Sequence, residues 1–410
     1  MPRRASLTDH SAGGRRALRP ALSTRTVHPP APPSQPGEPL APLLDQSSTY
    51  WFADTDEFAA AAREKTGSGY VYTRWANPTL DAFAAAVADL ESAPDAAVFA
   101  SGMAAISCIF LGLCSAGDRV VAARQLYGGT FELTTTLLPR FGITTDLVDV
   151  HDHDAIASRL KDARFLYCET IGNPRIEVAD VPELARIAAV AEVPLVVDNT
   201  FATPILCRPL EHGAAITLHS ATKFLGGHHD LIGGVACAAD PELLQGPRAI
   251  ARELGPTLAP FNAWLALRGM QTLELRVARS CATALTLARW LEERAEVGSV
   301  SYPGLASDPS HARAGRVLGG AGGGTLGFEL IGGREHAGRV QESLALVKPA
   351  ASLGGTHTLL VHAASVTHTQ MDAASLRRAE ISEGFCRLSV GLEDPDDLIA
   401  DLEQAFDRSG

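Results

Sequence analysis

The chain has 410 residues, 46% of them apolar, with 35 basic and 47 acidic side chains for a formal charge of −12. That length and apolar content indicate a globular, enzyme-sized protein of roughly two or three domains. The acidic balance excludes the clustered basic face of a nucleic-acid partner, and no run of 18 or more apolar residues is present to span a membrane.

The arginines at Arg3, Arg4, Arg15, Arg16 and Arg19 have no apolar stretch behind them, so the N-terminus does not read as a secretory signal. Residues 1–23 read as a disordered, basic, proline-rich tail and 24–70 as an N-terminal arm. The seven cysteines form an odd set without a C-x-x-C pair, which fits the cytoplasm as a reducing compartment.

From Gly69 onward, apolar β-branched runs alternate with helical patterns, the signature of an α/β domain with a mostly parallel sheet. A first helix follows Asn77-Pro78-Thr79, with Leu80, Phe83, Val87 and Leu90 on one stripe. Strands are predicted at 97–100, 119–123, 144–150, 164–168, 194–198, 216–219 and 233–238. Asp180 and Pro182 open a helix carrying Leu184, Ile187 and Val190. The large domain spans 71–270, and 271–410 reads as a smaller C-terminal α+β domain. In it a helix over 272–293 precedes strands at 325–331, 357–362 and 386–390 and a last helix from Asp394-Pro395. The run Gly319 to Gly324 lacks the G-K-[ST] of a phosphate loop and reads as a mobile surface turn.

Two strand ends carry the chemistry. Leu195-Val196-Val197 runs into Asp198, and Ile216-Thr217-Leu218-His219 runs into Ser220-Ala221-Thr222-Lys223. In an open α/β sheet both clusters face the crevice at the carboxyl ends of the strands. A lysine for a Schiff base and an aspartate for a pyridine nitrogen suit pyridoxal chemistry, with the Ser220 and Thr222 hydroxyls beside them for a phosphate. An isolated lysine after a strand is ordinarily just exposed, and Asp198 alone would read as a helix cap; the pairing lifts both. Ser101-Gly102-Met103, between a strand and a helix, presents backbone amides to the same phosphate.

Together these residues resemble the Cys/Met-metabolism family of pyridoxal-phosphate enzymes, which includes methionine γ-lyase, cystathionine γ-lyase, cystathionine γ-synthase and the O-acylhomoserine sulfhydrylases. The resemblance runs from Thr24 to the last helix. Its motifs are Tyr72–Thr79, Ser101–Ala105, Leu126–Thr130, Glu169–Pro174, Val197–Thr200, His219–Phe224, Ser352–Gly355 and Arg387–Asp394. It implies fold type I of the pyridoxal-phosphate-dependent transferases and a homotetramer of two close dimers with active sites at the dimer interface. It also implies roles. Lys223 is the Schiff-base lysine, Asp198 the partner of the ring nitrogen, and Tyr127 the residue stacked on the ring and able to protonate a leaving group. Gly102, Met103, Ser220 and Thr222 bind the phosphate together with Ser101, while Tyr72 and Arg74 reach it from the neighbouring subunit. Arg387 grips the substrate carboxylate, Asn173 and Ser352 orient cofactor and substrate, and Glu169 supports the cofactor pocket. Each has a plainer reading, such as Tyr72 as strand packing, Tyr127 as a half-buried core tyrosine or Arg387 as the surface partner of Glu393 or Asp394.

The reaction implied is loss of the α-proton to Lys223, then loss of a β-proton, which expels the γ-substituent and leaves a vinylglycine-type intermediate. A γ-lyase releases a 2-oxo acid and ammonia from it; a synthase or sulfhydrylase lets a thiol add. Gly129 stands where methionine γ-lyases usually carry cysteine, and Val71 and His357 stand where cystathionine-handling members tend to carry acids. A histidine with a pKa near about 6.5 is no counter-ion for an ammonium, so cystathionine is disfavoured; His357 reads equally well as a residue that packs or caps a strand. The reading is γ-elimination from a methionine- or homocysteine-type amino acid, with γ-replacement as the alternative and cystathionine γ-lyase activity third. A non-catalytic binding protein of the same fold would retain none of these positions for chemistry, and a nucleotide-binding protein lacks the needed glycine motifs. The runs 151–154 and 228–230 resemble metal ligands by composition, but read as a solvated turn and as part of the pocket rim.

Overall fold

The computed structural model describes residues 20–30, 39–64, 69–366 and 382–409. Most of the predicted basic tail and parts of the arm, 31–38 and 65–68, lie outside the described residues.

Strands β1 (Asp95–Phe99), β2 (Arg119–Ala123), β3 (Thr144–Val148), β4 (Leu166–Glu169), β5 (Leu195–Asp198), β6 (Ile216–Ser220) and β7 (Gly234–Ala238) form a seven-stranded sheet. Its order is β1-β7-β6-β5-β4-β2-β3. β4 and β5 are buried at every residue, as strands at the centre of a sheet covered on both faces must be. β7 runs antiparallel to both of its neighbours, which makes the sheet mixed. Helix α1 (Pro78–Glu91) is started by Asn77, whose Oδ1 accepts from the Thr79 amide at 2.9 Å, with Pro78 in the first turn. Its stripe of Leu80, Phe83, Val87 and Leu90 is buried, each side chain worth about 1.5–3 kcal/mol of burial. Helix α2 (Gly102–Leu113) follows β1 and is capped by Ser101, whose Oγ accepts from the Ala104 amide at 3.0 Å.

A second sheet contains β8 (Val297–Ser301), β9 (Thr325–Leu330), β10 (Lys348–Pro349), β11 (Leu359–His362) and β12 (Phe385–Ser389), in the order β10-β11-β12-β9-β8. β8 escapes the sequence patterning because it is a half-exposed edge strand with no clean alternation. The long helix α4 (Leu273–Glu292) is shared between two cores. Leu273 and Val277 pack on the seven-stranded sheet; Leu287 and Leu291 pack with β9, β12 and the last helix α5 (Pro395–Ser409). Helix α3 (Gly128–Glu132) is a short turn behind Tyr127.

The glycine run is not wholly a surface turn. Gly319 and Gly320 are exposed with positive φ, but Gly322, Gly323 and Gly324 are buried. A Cβ on Gly322 would lie 2.4 Å from the Tyr302 ring, and one on Gly324 3.1 Å from that of Phe224. Close packing against two aromatic rings, invisible in a local pattern, sets the composition there.

Candidate active site

β4, β5 and β6 end side by side in Glu169, Asp198 and Ser220. The start of α2 presses onto the same edge: a Cβ on Gly102 would stand 2.6 Å from that of Ser220, so only glycine lets the helix N-terminus approach. Ser101 spends its hydroxyl on the cap, leaving the amides of Gly102 and Met103 at the helix start. The Ser220 amide donates to Thr200 Oγ1 at 2.8 Å. Thr222 Oγ1 accepts from the Gly233 amide at 3.1 Å, which ties the lysine turn to β7.

Lys223 projects from this turn toward the second sheet and donates from Nζ to Ser352 Oγ at 2.8 Å. Burial, helped by the positive charge of Arg387, brings the Lys223 pKa down to about 8. Arg387, in β12, is buried and donates from Nη1 to Asn173 Oδ1 at 2.8 Å and from Nη2 to the Ser352 carbonyl at 2.9 Å. Its Nε has no partner, and among the described residues no carboxylate pairs with it. Burial lowers its pKa to about 10. The plainer reading of a surface pair with Glu393 fails, because Glu393 bonds the Thr358 amide and hydroxyl. A buried guanidinium with unused donors has the chemistry to receive a carboxylate.

Asp198 is 9% exposed and accepts from the Thr200 amide at 2.9 Å. Burial raises its pKa, opposed by Thr200, by His219 and by the Tyr167 hydroxyl. Glu169, paired with Asp198 across the β4–β5 register, accepts from the Tyr127 amide at 2.5 Å. Tyr127 is 43% exposed and its ring leans over Gly129: a Cβ there would lie 2.6 Å from Tyr127 Cε1 and 3.0 Å from Met103 Sδ.

Tyr72 and Arg74 stand apart. Tyr72 is 42% exposed and bridges to Thr49; Arg74 donates to the Arg252 carbonyl and lies over the Tyr72 ring. Both line an open cleft with Ser47, Thr257, Leu258 and Pro260. Among the described residues no hydrogen bond joins either to Gly102, Met103, Ser220 or Thr222.

Several contributors were not singled out in the sequence. Tyr167 lies two residues before Glu169 on the same strand face, a period-2 signal that was available. Arg276, in α4, is buried, has no carboxylate partner among the described residues, and donates to the carbonyls of Phe224 and Gly269, clamping the segment after Lys223; nothing local in the sequence marks it. His229, in the 228–230 run read from the sequence as pocket rim, has φ +59° and faces His357 with ring centroids 6.0 Å apart. Burial lowers the His229 pKa, and His357 and Lys223 add to that. Asp152 caps the helix His153–Arg159 through the Ala155 amide, so the 151–154 run is a helix start and not the expected turn. Among the described residues no cluster suits a metal ion.

A cradle that a single Cβ would fill, a buried carboxylate with no lysine or arginine partner among the described residues, and a lysine brought down to about 8 fit pyridoxal phosphate, and with the fold they define a pyridoxal-phosphate enzyme. The family profile described as "Cys/Met metabolism PLP-dependent enzyme" matches residues 23–407, and the chain belongs to that family. It is 39% identical over 395 residues to an L-methionine gamma-lyase of Pseudomonas putida, covering 95% of this chain and 98% of the relative. It is 36% identical over 404 residues to an O-acetyl-L-homoserine sulfhydrylase of Leptospira meyeri, covering 88% and 91%. A crystal structure of a putative O-acetylhomoserine (thiol)-lyase from Campylobacter jejuni, with a pyridoxyl-lysine monophosphate at its position 205, superposes with a TM-score of 0.89. That match has 31% identity and covers 94% of this chain and 99% of the other. The chain is therefore a pyridoxal-phosphate-dependent trans-sulfuration enzyme. Among the described residues no helix is long and apolar enough to cross a membrane.

Proposed function

We propose that the protein catalyses γ-elimination from a methionine- or homocysteine-type amino acid, acting as a carbon–sulfur lyase. The observation that supports this is the half-buried Lys223 amine, held 2.8 Å from Ser352 Oγ beside an arginine that has no carboxylate partner among the described residues. When bound, pyridoxal phosphate supplies a carbonyl for the substrate amine and a ring that stores the electrons of the broken Cα–H bond. Lys223 would anchor it, Asp198 would hold its ring nitrogen, and the amides of Gly102 and Met103 with the Ser220 and Thr222 hydroxyls would hold its phosphate. Arg387 binds the α-carboxylate, positioned by Asn173 and the Ser352 carbonyl. The freed Lys223 amine takes the α-proton, which its lowered pKa permits near neutral pH. A β-proton leaves next, to the same amine once it has shed the first, and its electron pair expels the γ-sulfur, to which Tyr127 donates a proton. The protein works in the cytoplasm as a dimer of dimers, and Tyr72 and Arg74 complete the phosphate site of the neighbouring subunit.

γ-Replacement on an O-acetyl- or O-succinylhomoserine is the second reading, supported by the similarity to a sulfhydrylase. Cystathionine fits less well, since its distal ammonium would meet the facing imidazoles of His229 and His357. The test incubates enzyme with methionine, homocysteine, cystathionine and the two acyl esters, with and without sulfide. Formation of 2-oxobutyrate from methionine without a thiol supports elimination. Homocysteine from an acyl ester and sulfide, with methionine untouched, moves the assignment to replacement.

A further inference from the structure

Glu169 and Asp198 are direct register partners on adjacent parallel strands, so their side chains share one face of the sheet. They are 5% and 9% exposed, and among the described residues neither has a lysine or arginine partner. Two carboxylates on one dry face without a counter-ion cannot both ionise. Their surroundings differ. Asp198 has the Thr200 amide and hydroxyl and the Tyr167 hydroxyl on its own face, with His219 behind the sheet. Glu169 has only the backbone amides of Tyr127 and Asn173, and burial beside Asp198 pushes its pKa well above the usual carboxyl range.

We propose that Glu169 stays a carboxylic acid and acts as a neutral positioning residue, leaving Asp198 as the one anion beneath the cofactor ring. The proposal rests on Asp198 facing the ring nitrogen. A neutral acid keeps its carbonyl oxygen as an acceptor for the Tyr127 and Asn173 amides without adding a second negative charge. Through those amides Glu169 fixes the tyrosine over the ring and, by way of the Asn173 side chain, the Arg387 fork. One protonated side chain thus couples the cofactor face to the carboxylate clamp.

Glu169→Gln is the decisive variant, because an amide is neutral, nearly isosteric and still an acceptor. Pyridoxal phosphate should bind Glu169→Gln within about threefold of wild type and Glu169→Ala at least about tenfold more weakly. The difference infrared spectrum of cofactor-loaded wild type minus Glu169→Gln should contain a deuterium-sensitive stretch of a protonated carboxyl group at neutral pH. In cofactor-free Asp198→Asn, that band should titrate away at lower pH than in the cofactor-free wild type, because the neighbouring charge is gone. The other titrating groups around the pair are Tyr167 and Cys168 on β4, His219 on β6 and Tyr127 above it; none contributes a carboxyl band. Weakening by Glu169→Gln equal to that by Glu169→Ala overturns the proposal. So does a carboxyl band that survives in Glu169→Gln, or one whose titration ignores Asp198→Asn. Borohydride trapping of the cofactor on any residue other than Lys223 would instead overturn the site assignment itself.

Discussion

Lys223 Nζ lies 2.8 Å from Ser352 Oγ, a bond between residues 129 apart that joins the turn after β6 of the seven-stranded sheet to the loop between β10 and β11 of the second sheet. Ser352 reaches it with φ +98°, a left-handed conformation that a serine adopts only when its surroundings impose it. The same residue gives its carbonyl to Arg387. One strained serine therefore sets the spacing between the Lys223 amine and the Arg387 guanidinium.

The pH dependence of cofactor capture follows from the lowered Lys223 pKa. Only the neutral amine attacks a carbonyl, so the rate should rise with pH and level off above about 8, well below an ordinary lysine. Arg387→Ala removes a like charge, and the midpoint should move upward. Stopped-flow absorbance of cofactor-free protein mixed with pyridoxal phosphate measures both. A midpoint that moves downward in the variant would refute the electrostatic account.

Arg387→Lys keeps the charge but loses the fork. Two charge-assisted bonds to a carboxylate are worth about 2–3 kcal/mol here, so KM should rise roughly a hundredfold. Cofactor content should stay near wild type, since Arg387 is assigned to the substrate. Loss of bound cofactor in this variant would contradict the assignment.

Gly129→Val places a Cβ 2.6 Å from Tyr127 Cε1, and the tyrosine ring has to swing away. Elimination should slow by about tenfold, while Lys223-dependent exchange of the α-proton with solvent deuterium stays within about twofold. Equal losses in both rates would mean that Tyr127 does not protonate the leaving group.

Tyr72 and Arg74 line a cleft of their own, and their proposed service to the neighbouring subunit is open to complementation. Lys223→Ala and Arg74→Ala should each be inactive alone. After mixing and reassembly, heterodimers carry one intact site, and about a quarter of wild-type activity should return. No recovery would place Arg74 in its own subunit's site.

Much of this protein was legible from local pattern. The buried runs at β5 and β6 announce a parallel sheet because near-continuous apolar, β-branched runs suit its centre. Asp198 and Lys223 stand out because polar groups ending such strands must face the crevice at their carboxyl ends. The flanking motifs then bring out the rest of the site residues, and the family match over 23–407 agrees with the resemblance. Tertiary structure decided what depends on distant segments meeting. It brought Ser352 to Lys223 and Asn173 to Arg387, set Arg276 against the carbonyls after the lysine, and buried half of a glycine run that reads as a surface turn. It also set Glu169 directly beside Asp198. Residue types and spacing determine strand ends and chemistry, because those follow from the chain's own geometry. The charge state of a buried carboxylate and the distance between an amine and a hydroxyl depend on what packs against them, and no local run of sequence contains that.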